Sequence, residues 1–234
     1  MRLQDNLEVE LKLSVIGDDP DRLLDEIAQL DQLGSLHLGP PQEHHLRDIY
    51  WDLPDLGMRD HRLSLRLRQI DDRTVFTAKG GTSNSEGLFR RYELEVPATA
   101  ENWLAVRDAL NVEGMHFDGQ VTGDDPAVWL RDAGLTATQD RSTRRTVRHA
   151  FARPDDPRAL AELCLDRTSF DFGKTRVDYW EIEVEELGGH GEEAPREIGR
   201  ALIARYPGRL EPSTMGKYSR GLVIERELRA TGQL

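Results

Sequence analysis

The stretch LEVELKLSV, residues 7–15, alternates without a break from Leu7 to Leu13. Leu7, Val9, Leu11 and Leu13 fall on one side and Glu8, Glu10 and Lys12 on the other. That period of two belongs to a β-strand with one apolar and one polar face. Working outward, the same division recurs. Arg66 and Arg68 alternate with Leu65 and Leu67, Arg91, Glu93 and Glu95 with Tyr92, Leu94 and Val96, and Glu181, Glu183 and Glu185 with Ile182 and Val184. Segments 63–70, 74–79, 90–96, 144–152, 164–172 and 179–186 therefore join 7–15 as strand candidates. An eighth is expected at 44–51, within HHLRDIYWD, ahead of the turn residues Pro54 and Gly57.

Helical patterns fill the gaps at 19–33, 99–110, 125–132 and 194–206. Pro20 after Asp19, Thr99 three residues before Asn102, and Pro195 before Arg196 suit first turns, where capping oxygens are needed and a missing N–H is harmless. Gly34 and Gly134 stand where helix C-termini are expected. Strands of one character lie on both sides of the glycine-bearing stretch 113–125, so residues 1–234 are expected to form one domain whose two halves join there.

The chain of 234 residues carries 43 Asp and Glu against 31 Lys and Arg, a net charge of −12, which argues against nucleic acid or an anionic membrane as a partner held by overall attraction. With 38% hydrophobic and 32% charged residues, it has a core to build and more charge than an ordinary domain needs. Cys164, alone of its kind, permits neither an intrachain disulfide nor a cysteine-rich zinc site, and among the apolar neighbours of LAELCLD it reads as a small core residue. No stretch approaches the apolar length of a membrane span and the opening residues lack a signal-peptide pattern, so a cytoplasmic location is expected. Glycine-rich nucleotide loops are missing. His44, His45 and His61 lack the spacing of metal ligands and read as loop or surface residues, and Trp51, Trp103, Trp129 and Trp180 as packing groups.

The charged faces concentrate like charges. Glu8 and Glu10 repel each other unless a cation lies near, as do Glu93 and Glu95, and Glu181 and Glu183. Clustered carboxylates suit hard divalent ions such as Mg²⁺ or Mn²⁺, and clustered Arg and Lys suit polyphosphate oxygens. If the sheet closes with this face inward, the fold is α+β and mainly antiparallel β. It is then a closed barrel with a polar, tunnel-like interior and helices packed outside.

The ordered motifs resemble the CYTH superfamily of triphosphate tunnel metalloenzymes, which includes class IV adenylyl cyclases, thiamine triphosphatases and inorganic triphosphatases. EVELK, with Glu8, Glu10 and Lys12, is similar to the family's ExExK signature. It is followed by LRLR with Arg66 and Arg68, TAKG with Lys79, RRYELEV with Arg91, Glu93 and Glu95, LDRTSFDFG with Asp166, YWEIEVEE with Glu181 and Glu183, and GKYSRGL with Lys217. The resemblance spans residues 7–222 and implies an eight-stranded tunnel. It also implies that Glu8, Glu10, Asp166, Glu181 and Glu183 hold Mg²⁺ or Mn²⁺, and that Lys12, Arg66, Arg68, Lys79, Arg91, Lys217 and one arginine of DRSTRRTVRH hold phosphate. Of Arg141, Arg144, Arg145 and Arg148 there, Arg145 best fits the family pattern; alternation alone does not decide the register, and Arg144 and Arg148 share the face opposite Arg145.

The expected function is metal-dependent hydrolysis of a small triphosphate, foremost inorganic triphosphate. Glu93, Glu95 and Lys12 are the catalytic candidates, with one of the two glutamates orienting or deprotonating the attacking water. The alternatives are a class IV adenylyl cyclase, a thiamine triphosphatase, or a module that binds triphosphate or polyphosphate without turnover. A homodimer is compatible with these readings.

Overall fold

The structure, a computed structural model, describes residues 7–117 and 120–234, so Asp118 and Gly119 of the expected join lie outside the described residues. In chain order the elements are β1 (Leu7–Val15), α1 (Pro20–Ala28), β2 (Gln32–Leu33), β3 (Leu36–Leu38), β4 (Gln42–Asp52), α2 (Gly57–Asp60), β5 (Ser64–Ile70), β6 (Arg73–Ser85), β7 (Leu88–Pro97), α3 (Ala100–Val112), α4 (Pro126–Asp132), β8 (Thr136–Phe151), β9 (Ala161–Asp171), β10 (Arg176–Glu186), α5 (Glu193–Arg205), β11 (Leu210–Pro212) and α6 (Lys217–Ala230). Hydrogen bonding runs in the order β8-β4-β5-β6-β7-β1-β10-β9 and returns from β9 to β8, so eight strands close into an antiparallel β-barrel. β2 and β3 extend from β8, and β11 pairs with β1.

Two compact units interleave along the sequence. In the first, built from Leu46–Ser83 and Arg91–Ser142, the apolar faces of β5, β6 and β7 bring Leu65, Phe76, Ala78 and Leu94 against α3 and α4. Trp103 of α3 is wholly buried there, 5.6 Å from the Phe76 ring and stacked on Phe117. Thr99 caps α3 by accepting from the Asn102 N–H, Asp125 caps α4 through Ala127, and Gly134, at φ 81, lets α4 end with Leu135 bonded back to Leu130. The buried Asp52 carboxylate accepts from the backbone N–H groups of Leu53, Met58 and Arg59, and so fixes the turn that ends β4 and starts α2.

The second unit comprises Glu8–His45, Asn84–Arg90 and Thr143–Leu234. Its core joins Leu11 and Leu13 of β1, Leu163 and Leu165 of β9, and Ile182 and Val184 of β10 to Leu23, Leu24 and Ile27 of α1 and Ile198 and Leu202 of α5. Gly199 lets α5 come close, since a Cβ there would run into the Leu11 side chain. Gly199→Leu is expected to lower stability by about 1–3 kcal/mol through overpacking, read as a shifted denaturation midpoint; an unchanged midpoint would show that the helix can lift without cost.

Two expectations need correction. The helix expected over 19–33 stops at Ala28, and Gly34, at φ 62, lies in the β2–β3 hairpin turn and not at a helix end. The apolar residues beyond Ala28 serve this hairpin, with Leu33 and Leu36 buried in the core. Arg148, on β8, donates to the carbonyls of Ala28, Leu38 and Gly39, and thereby takes up the open end of α1. Helix α6 follows from no expected pattern. Charged residues interrupt its apolar positions, and it buries only Lys217, Gly221 and Leu228.

Candidate functional site

Register decides which side chains meet. In the second unit, β1 pairs Lys12 with Glu183 and Ser14 with Glu181 of β10, and β10 pairs Glu181 with Asp166 and Glu183 with Cys164 of β9. Directly opposed residues share a face, so one face gathers Glu10, Lys12, Asp166, Glu181 and Glu183 while Leu11, Leu13, Leu165, Ile182 and Val184 face the core. Lys217, the first residue of α6, and Arg145 of β8 complete the group.

The contacts converge on the cations. Lys12 Nζ lies 2.6 Å from Glu10, 3.8 Å from Glu181, and in closer contact with Glu183. Lys217 Nζ lies 2.8 Å from both Asp166 and Glu183 and also touches Glu181. Arg145 grips Asp166 with both ends of its fork, at 2.7 and 2.6 Å, and reaches Glu183 as well. Four carboxylates thus meet three cations, with Asp166 and Glu181 fully shielded from solvent. Burial works against every charge here, yet Glu10, Glu183 and Glu181 keep the Lys12 ammonium above its ordinary pKa. Against the same burial, Lys12, Lys217 and Arg145 hold Glu183 well below the carboxylate range. Glu181 moves the other way, because burial outweighs its two lysines. Its second oxygen accepts from the Tyr179 hydroxyl at 3.1 Å.

Of the arginines in DRSTRRTVRH, Arg145 stands on the charged face, Arg144 is exposed, and Arg148 points to the opposite side. Cys164 is buried but lies on the charged face between Glu162 and Asp166, donating to Glu162 at 3.3 Å. Burial pushes its thiol well above the ordinary value. The surrounding leucines belong to the other face of β9, which is why an apolar neighbourhood in sequence is not one in space.

The first unit has a second cluster, centred on a residue that the motifs do not include. Asp48 of β4 sits opposite Arg68 of β5, and Tyr50 opposite Arg66. The Asp48 carboxylate, 2% exposed, accepts from Arg68 Nε and Nη2 at 2.6 and 2.9 Å and from Arg141 Nη2 at 2.9 Å, with Arg66 Nη1 at 3.7 Å. Burial alone would raise its pKa; the three guanidiniums, Arg68 foremost, hold it well below the ordinary 3.8. The buried Tyr50 hydroxyl accepts from Arg141 at 2.9 Å. Against burial, that arginine and Arg66 bring its pKa down to about 8. Lys79 lies 2.8 Å from Glu93, and Thr77 donates to Glu95 at 2.9 Å. Arg66 reaches Glu93 and Glu95 only at 3.8 and 3.6 Å.

The second unit therefore brings together Glu10, Lys12, Arg145, Asp166, Glu181, Glu183 and Lys217, and the first brings together Arg66, Arg68, Lys79, Glu93 and Glu95. Glu8 shares the face of Glu10 nearer the start of β1, and Arg91 shares that of Glu93; both are partly buried. Asp48 and Tyr50 are additional members, and Arg141, one of the four arginines of DRSTRRTVRH, joins them on Asp48. A period-two reading of 46–52, with Leu46, Asp48, Tyr50 and Asp52 on one side, would have flagged the first two.

Among the described residues, no three His, Cys, Asp or Glu form a ready-made metal-holding group, because the lysines stand among the carboxylates. The donor chemistry itself, clustered carboxylate oxygens outnumbering their cations, fits a hard divalent ion. Sites that must take a cation and an anion together need both charge types near at hand.

The CYTH domain profile matches residues 6–218. Among solved structures, a Hippeastrum protein studied as an adenylyl cyclase and reported to have a dominant triphosphatase activity is similar at 18% identity and a TM-score of 0.63. The match covers 91% of this chain and 93% of that one. A candidate adenylate cyclase from Bacillus halodurans is similar at 18% identity and a TM-score of 0.51, over 92% and 97% of the two chains. No curated protein matches the chain.

Proposed function

This chain belongs to the CYTH domain family, and on that premise we propose that it hydrolyses a triphosphate with a divalent metal ion, inorganic triphosphate being the substrate. The observation that carries the reading is the meeting of two chemistries on the buried charged face within each unit. One is a buried carboxylate set able to hold cations, and the other is a guanidinium and ammonium set able to hold phosphate oxygens.

Glu8, Glu10, Asp166, Glu181 and Glu183 would hold Mg²⁺ or Mn²⁺, which when bound neutralises charge on phosphate oxygens. Lys12, Arg66, Arg68, Lys79, Arg91, Arg145 and Lys217 would bind and orient the triphosphate. Lys12 and Lys217 stay protonated across the neutral range, since despite burial their carboxylates raise both pKa values. Of the two catalytic glutamates proposed, Glu93 is engaged by Lys79, whereas Glu95 has a side chain 38% exposed and a single hydroxyl donor in Thr77. Glu95 is accordingly the better acceptor for a proton from water.

The indoles serve the apolar cores. Trp51, Trp103 and Trp129 are buried in the apolar core of the first unit, and Trp180 packs against that of the second. None of the four indoles stands on a charged face, where the aromatic groups are instead Tyr50, held by Arg141, and Tyr179, which donates to Glu181. The dominant triphosphatase activity of the Hippeastrum protein is in keeping with hydrolysis. Phosphate and cyclic-nucleotide release should be compared for inorganic triphosphate, ATP and thiamine triphosphate with Mg²⁺, Mn²⁺ or EDTA. EDTA-sensitive release from inorganic triphosphate above the others is expected. Cyclic AMP would make the protein a cyclase, and tight binding without turnover would make it a sensor.

A further inference from the structure

The arginines of the first unit are not equivalent. Arg68 and Arg141 are both committed to Asp48 by charge-assisted hydrogen bonds of 2.6–2.9 Å. Arg66 is more than nine-tenths buried, yet its ion contacts, to Asp48, Glu93 and Glu95, all fall between 3.6 and 3.8 Å. Its Nε–H has no hydrogen-bond partner among the described residues. A buried guanidinium donor without an acceptor is costly and rare, and it marks where an acceptor from outside the chain would be taken up. Arg68 takes both Asp48 carboxylate oxygens and Arg141 shares one of them, while Arg66 stays 3.7 Å from that carboxylate.

We propose that Asp48 is a positioning residue, which by holding Arg68 and Arg141 as a rigid pair keeps the Arg66 guanidinium uncommitted for an oxygen of the phosphate chain. The proposal rests on the triphosphate reading and deepens it. Asp48 touches no substrate. It acts through the arginines, and Tyr50 steadies the far side of Arg141 through its hydroxyl. The division of labour also separates the two arginines of LRLR. Arg66 donates to the ligand, and Arg68 supplies charge from a fixed place.

The test turns on sign. By Coulomb attraction alone, removing a buried negative charge beside an anion site tightens anion binding. Positioning predicts the opposite. Without its carboxylate, Arg68 and Arg141 are released to compete with Arg66 for Glu93 and Glu95, and the fixed geometry is lost. Asp48→Asn is therefore expected to weaken binding of inorganic triphosphate, measured calorimetrically with EDTA present, on the order of tenfold to a hundredfold. It should also raise KM with Mg²⁺ more than it lowers kcat. Loss of folded protein alone would lower apparent kcat at constant KM. Asp48→Glu keeps the charge but moves it by a methylene, and is expected to weaken binding as well. Wild-type affinity in a folded Asp48→Asn or Asp48→Glu variant would overturn the proposal, and so would failure of both variants to fold, which would make Asp48 a folding residue. Absence of triphosphate binding by the wild type removes the functional reading itself, so the two failures are distinct.

Discussion

Replacing Glu183 with Gln is expected to lower metal-dependent release of phosphate from inorganic triphosphate by on the order of a hundredfold to a thousandfold, with the chain still folded. Glu183 alone of the four carboxylates touches Lys12, Lys217 and Arg145 together. Those three cations keep it ionised despite burial, whereas burial lets its neighbour Glu181 hold a proton more readily. Glu183 is thus the carboxylate whose full charge is present wherever an ion must be held. Glutamine keeps the shape and one accepting oxygen but removes that charge. Glu10→Gln is the companion variant, because Glu10 lies beside the same ammonium at 2.6 Å. Initial rates across a Mg²⁺ titration, with circular dichroism as the check on folding, decide the matter. Activity retained in both variants would sink the assignment of these carboxylates to the metal.

The alternation that opens the sequence carried the fold because it is local: Leu7 to Leu13 and Tyr179 to Glu186 state their faces residue by residue, and closing such strands leaves a charged face and an apolar one. What alternation cannot supply is register and the identity of cross-strand partners. Arg145 and Arg148 lie three apart on one strand, and only the pairing of β8 sends one to Asp166 and the other to the end of α1. Asp48 hides in HHLRDIYWD for a related reason, since its value comes from Arg68 twenty residues away and Arg141 ninety-three away. Cys164 is buried, as its neighbours suggest, but on the other face of its strand. Its apolar neighbours in LCL point to the core, and the thiol points away from it. Gly34 reads as a helix end or a hairpin turn with equal ease, because both need a positive φ, and the hairpin is selected by the burial of Leu33 and Leu36 in the second unit's core.

Lys217→Met is expected to cost about 3–5 kcal/mol of stability near neutral pH in EDTA, since removing one partner of a buried ionic group leaves the others uncompensated. Lys217, 7% exposed, is within contact of Asp166, Glu181 and Glu183, so the variant strands carboxylates in a site that burial already disfavours. The pH dependence gives the sign. In the wild type the Lys217 pKa is raised above 10.5, so its stabilisation is complete below that value and lost only as pH rises through the folded-state pKa; stability is therefore insensitive to this group from pH 5 to 8. Without the ammonium, the folded-state pKa values of the three carboxylates rise, and an acid with a raised pKa contributes stability at low pH that is lost as pH rises through that pKa. Urea midpoints of the variant should accordingly fall more steeply with rising pH than those of the wild type, in which Glu181 alone of the three already has a raised pKa. Millimolar Mg²⁺ should narrow the gap, because an ion that binds only the folded carboxylates stabilises by mass action. A pH profile in the variant no steeper than that of the wild type would mean that Arg145 and Lys12 suffice to compensate the cluster. A gap that Mg²⁺ leaves untouched would mean that these oxygens hold no ion, which places the two halves of the proposed chemistry, cation holding and anion holding, under separate experimental control.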